Sequence, residues 1–142
     1  MPGQPVVPNT WAWDCTNLIV EDNMGQQSNL IIESGHSFQL KATIDFQVHW
    51  WDLLLSLPPG IDIAEVEFFY ESMGPGPDGT FGTVSIKSDG GIHPLPHSLT
   101  TNPLVCTLNT PATYKLVAVV RPKISLLARC SAFYEGPIIQ QL

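Results

Sequence analysis

Between Ser37 and His49 the chain alternates apolar and polar side chains without a break. Phe38, Leu40, Ala42, Ile44, Phe46 and Val48 share one parity, and Gln39, Lys41, Thr43, Asp45, Gln47 and His49 share the other. A side-chain period of two belongs to an extended strand with one dry face and one wet face. A helix, with its period of 3.6, would scatter both sets around its axis. This segment therefore demands an antiparallel sheet that is covered on one side.

Other segments supply the partners. Trp11–Val20, Asn29–Glu33, Ala64–Ser72, Phe81–Lys87, Leu104–Asn109, Tyr114–Arg121, Leu126–Tyr134 and Ile138–Leu142 read as further strands. They are punctuated by many of the chain's 13 prolines and 11 glycines. Short strands at this spacing predict a sandwich or barrel. Trp50 to Leu57 departs from the alternation, and Pro58-Pro59-Gly60 ends it. We read it as a short helical or irregular crossover near 50–57. With 142 residues, one domain is expected. It spans 11–142, after a proline-rich arm over 1–10.

The segment Pro111-Ala112-Thr113-Tyr114-Lys115-Leu116 resembles the start of strand F in immunoglobulin-like domains. There a small residue, a tyrosine and a core residue occupy every second position, and the tyrosine hydroxyl bonds upstream backbone. Ala112, Tyr114 and Leu116 fit that pattern. The resemblance implies an all-β, two-sheet antiparallel immunoglobulin-like sandwich of about seven to nine strands. Phe38 to Val48 would resemble strand B, and Tyr114 to Tyr134 strands F and G. The disulfide joining strands B and F in that family has no counterpart, because Leu116 stands at its second position. Nor does Val66 to Tyr70 carry the tryptophan of strand C. A fold of this kind hosts many roles, so the likeness speaks to architecture alone.

Charge excludes one class of function. The net charge is −7, so non-specific binding to nucleic acid is not expected. Residues 1–89 hold 12 acids and two bases, whereas 90–142 hold one acid and four bases. This asymmetry predicts a dipolar domain. No apolar run reaches the roughly 18 residues of a membrane span. The opening Met1-Pro2-Gly3-Gln4-Pro5 lacks the basic and apolar regions of a secretory leader. A cytoplasmic location is the expectation, with a mature secreted form as the alternative. Cys15, Cys106 and Cys130 are then expected as free thiols, without a disulfide.

Chemistry-bearing residues are sparse. His93 and His97 stand four apart and are candidate metal ligands, with Asp89 the near acid. The intervening prolines exclude the helix that would bring them onto one face. Cys106 and Cys130 each sit between apolar neighbours of the same parity, the pattern of small core residues. Glu65, Glu67 and Glu71 share one strand face, as a carboxylate pair or as a solvated row. No nucleophile, phosphate-loop or zinc-protease motif occurs, and no catalytic constellation or cofactor site is found. A hydrolase is accordingly the weakest reading.

Apolar excess is the stronger signal. Val117 and Val119 lie opposite the buried parity of their strand, and Leu127 and Phe133 break the alternation of the next. A strand that is apolar on both faces has to be covered on both. Beside these stand Arg121, Lys123 and Arg129. We expect a non-catalytic structural or interaction module that associates with copies of itself, or with other subunits of an assembly. The C-terminal hairpin and the N-terminal arm would make the contact. The alternative is a carbohydrate- or small-ligand-binding module that stacks its ligand on Trp50 and Trp51.

Overall fold

A computed structural model describes residues 13–22, 30–46, 53–94, 97–123 and 132–142. Nine strands run in chain order. They are β1 Trp13–Asp22, β2 Ile31–Ile32, β3 Phe38–Phe46, β4 Asp62–Ser72, β5 Gly79–Lys87, β6 His97–Thr100, β7 Leu104–Cys106, β8 Ala112–Pro122 and β9 Ala132–Gln141. They form two sheets that sandwich the core. The first has the order β1-β3-β6, with β7 following β6 along the same side of β3. The second has the order β2-β9-β8-β4-β5. All pairings are antiparallel except β2 with β9.

The alternation of the first sheet's central strand is the fold's organising feature. Phe38, Leu40, Ala42, Ile44 and Phe46 are all fully buried. Facing them from the second sheet are Ala64, Val66 and Phe68 of β4 and Tyr114, Leu116, Ala118 and Val120 of β8, also fully buried. Leu55, in a helical turn over residues 53–55, is buried against the same cluster. The crossover expected near 50–57 is thus helical over 53–55 and leaves the helix in a turn at 56–57.

Bulges explain where the parity shifts. Ile63 is an extra residue of β4 opposite β5, so Ile63 and Ala64 are both buried. Phe81 is the extra residue of β5, opposite the step from Phe68 to Phe69. Gly82 follows it at φ 131°, a conformation that side chains rarely adopt. The bulge sets the Phe81 ring edge-on to Phe38, with centroids 5.6 Å apart, and 4.6 Å from the Tyr70 ring. In β9 the extra residue falls at Gly136-Pro137, opposite Leu116. Buried positions change there from even to odd, from Ala132 to Ile139 and Gln141. The two strands expected over 126–134 and 138–142 are therefore one strand, β9, over the described residues.

The tyrosine resemblance holds at the level of geometry. The Tyr114 hydroxyl donates to the Thr110 carbonyl at 2.7 Å. The pairing of β8 with β4 and β9 likewise gives β8, β4 and β9 the places of strands F, C and G in the sandwich.

Candidate functional site

The outer face of the second sheet collects most of the residues that the sequence singled out. Val119 stands opposite Phe133 on β9 and Glu67 on β4. Val117, on the next rung of that face, stands opposite Phe69 and Glu135. One rung further, Lys115 faces Ile138 and Glu71. Phe133 is 45% exposed and Ile138 is 48% exposed, whereas the valines are half-buried. A groove of about 490 Å³ opens at one end of this apolar strip, beside Phe69, Tyr70, Thr80 and Val117.

Ion pairs frame the strip. Arg121 Nη1 lies 2.6 Å from Glu67, Lys123 Nζ 3.4 Å from Glu65, and Lys115 Nζ 3.5 Å from Glu71 and 3.8 Å from Glu135. Elsewhere Lys41 pairs with Glu21 at 2.5 Å, and Lys87 with Asp62 at 3.7 Å. Every described lysine and arginine is thus ion-paired. The opposite poles expected from the sequence do not separate in space, because β4 and β8 are adjacent strands. The row Glu65, Glu67 and Glu71 is the acidic half of this arrangement.

Of the expected interface residues, Val117, Val119, Arg121, Lys123 and Phe133 come together here. Leu127 and Arg129 lie outside the described residues, as do the 1–10 arm, Trp50 and Trp51. The sequence reading omits Phe69 and Ile138. Phe69 left a signal, an aromatic ring breaking the acidic parity of β4. Ile138 left none, because the bulge at Gly136-Pro137 sets its face.

No protein-family model matches this sequence, and no curated protein is similar to it.

His93 and His97 do meet, with ring centroids 4.5 Å apart. His93 Nε2 lies 2.8 Å from Asp89 Oδ1. That hydrogen bond, joined by one from the Gly91 N–H, holds the Asp89 carboxyl below the usual carboxylate range. Among the described residues, no group of three or more His, Cys, Asp or Glu side chains is arranged to hold a metal ion.

Cys15 and Cys106 are free and buried, and burial pushes both thiols up to about 12. A thiol so rarely ionised is a poor nucleophile. Asp14 stands opposite Asp45 across β1 and β3, with its Oδ1 buried and unpaired. Burial, then the neighbouring Asp45 charge, raises the Asp14 pKa. Among the described residues, no helix is long and apolar enough to cross a membrane.

Proposed function

We propose that this chain is a non-catalytic interaction module that associates with copies of itself through the outer face of the β2-β9-β8-β4-β5 sheet. The observation that carries the reading is the apolar strip Phe69, Val117, Val119 and Phe133, running across three adjacent strands. Large apolar side chains on an open sheet face favour burial against a partner surface. The groove beside Phe69 and Val117 offers a seat for a side chain of the facing copy. The ion pairs around the strip are already closed within each copy, so the apolar contact supplies the affinity. Association should consequently hold or strengthen with added salt, unlike a contact made by opposed charge poles.

The test is light scattering behind size-exclusion chromatography, over a range of protein and salt concentrations. Wild-type protein should show a mass that rises with concentration. Val119→Glu places a third carboxylate beside Glu67 and Glu135 on the strip, and should leave a folded monomer. Wild-type protein that stays monomeric at high micromolar concentration overturns the reading.

A further inference from the structure

The side of the sandwich between β5 and β6 is built differently from the rest. Thr101 N–H donates to the Ala42 carbonyl at 2.9 Å, and the Thr101 hydroxyl accepts from Ala42 N–H at 3.0 Å. The register places Thr43 opposite Thr100, so Ala42 and Thr101 face one another. Antiparallel ladders alternate inward-bonding and outward-pointing residues. The main-chain groups of Ser98 and Thr100 therefore point away from β3. Among the described residues no backbone group pairs with that edge, nor with the outer edge of β5.

A crevice of about 440 Å³ lies between these two edges. Val84 and Leu99 line it and are core side chains left only half-buried there. The chain leaving β5 does not return to cover them. Ser88 N–H bonds the Ile61 carbonyl at 2.9 Å, and Asp89 N–H bonds the Leu55 carbonyl at 3.0 Å. The Ser88 hydroxyl donates to the Pro58 carbonyl at 2.7 Å. These bonds anchor the crossover to the 55–61 segment, and no backbone bond joins 88–92 to β6.

We propose that this crevice seats one extended peptide strand of a partner protein, which adds to the edge of β6 left unpaired among the described residues. Three observations select that occupant. Outward main-chain donors and acceptors on a strand edge are a template for main-chain partners, which a peptide supplies in register. A crevice of about 440 Å³ bounded by two strand edges suits a single extended chain. The walls carry the hydroxyls of Ser85, Thr100 and Thr101 and the amide of Asn102. The flanking Lys87 and Asp89 are paired with Asp62 and His93. The bound segment is therefore uncharged, with apolar residues at alternate positions over Val84 and Leu99. This site is separate from the self-association face and does not depend on it.

The probe is a displayed library of random peptides, roughly 12 residues or two strand lengths long, panned on the full chain. Enriched sequences should alternate apolar and uncharged polar residues. The strongest one, synthesised, should slow amide exchange at Ser98 and Thr100. Thr100→Pro removes the outward N–H and keeps the backbone bonds to β3, losing there only the hydroxyl contact of Thr100 with Thr43, as proline is tolerated on an open strand edge. It should weaken binding at least about tenfold, through the lost bond and the blocked edge. Thr100→Ala, which loses the same hydroxyl but keeps the N–H, should lose far less affinity than Thr100→Pro. A second measurement covers the case where Thr100→Pro fails to fold. N-methylating one alternate set of peptide residues should abolish binding, while the other set is tolerated. Four results overturn the proposal: no enriched peptide, equal binding by Thr100→Pro, protection elsewhere in the chain, or tolerance of both N-methylated sets. A Thr100→Pro protein that loses self-association while still binding the peptide also overturns it, assigning the edge to a second copy.

Discussion

Tyr114→Phe isolates a single atom of the fold. The Tyr114 ring is fully buried and meets Tyr70 edge-on, with centroids 5.6 Å apart and planes at 86°. Phenylalanine keeps that ring contact and the packing volume, and removes only the hydroxyl that donates to Thr110 at 2.7 Å. The Thr110 carbonyl then loses its partner at the edge of the core. Removing one side of such a bond costs about 1–3 kcal/mol. Unfolding entropy of about 2.1 cal/mol/K per residue gives roughly 0.3 kcal/mol/K for a chain of 142 residues. The midpoint should therefore fall by about 3–10 °C. Urea unfolding followed by tryptophan fluorescence should show a lower midpoint at an unchanged slope, the sign of lost stability in an intact fold. Alkaline pH supplies a second readout. Burial, then Tyr70, raises the Tyr114 pKa above its ordinary value of 10.0. The stability tied to the protonated phenol is complete below that value and is lost as pH rises through the folded-state pKa. Tyr114→Phe should remove this share of the alkaline decline. An unchanged melting temperature and urea midpoint would refute the claim that the hydroxyl ties 110 to β8.

Ile44→Ala or Phe38→Ala should each cost on the order of 2–5 kcal/mol in urea unfolding, since both side chains are fully buried in β3. Thiol titration of the denatured chain without reductant should count three free cysteines, while Cys15 and Cys106 resist the reagent in the native state. Because burial lifts both thiols to about 12, stability should be full below about pH 9 and decline as pH climbs toward 12. Asp14→Asn should stabilise the protein at neutral pH by a few tenths to about 1 kcal/mol, by removing a like charge opposite Asp45. Since folding raises the Asp14 pKa, that gain should shrink as pH falls through the carboxylate range.

What the sequence makes legible depends on whether one strand's pattern carries the information. The alternation of β3 and the core parity of β4 and β8 are written in single segments, and all three appear as expected. The tyrosine hydrogen bond is local too, joining residues four apart. By contrast β6, His-Ser-Leu-Thr, has four residues and one apolar side chain of the right parity, too little to register as a strand. A bulge hides β9, since the extra residue at Gly136-Pro137 makes one strand look like two. The outer-face strip is legible in part. Val117, Val119 and Phe133 violate their own strands' parity, but Phe69 joins them only through the pairing of β4 with β8.

Charge shows the same limit most clearly, and it points to what the ion pairs do. Along the chain, acids and bases occupy different halves. In the sheet, Glu67 and Glu71 on β4 meet Arg121 and Lys115 on β8, and Glu65 meets Lys123 just past the end of β8. Pairs this open to water contribute about 0–1 kcal/mol each, too little to hold the sandwich together. Their effect lies in register. A one-residue slip of β8 against β4 would expose Leu116, Ala118 and Val120, so the buried face forbids it. A two-residue slip keeps that face buried, and the hydrophobic pattern is blind to it. Either direction of that slip parts Lys115 from Glu71 and moves Val117 away from Phe69, although one direction sets Arg121 directly across from Glu67 and Lys123 across from Glu65. Of the three pairs, only Lys115 with Glu71 opposes the slip in both directions, and the same register keeps Val117 beside Phe69 in the strip.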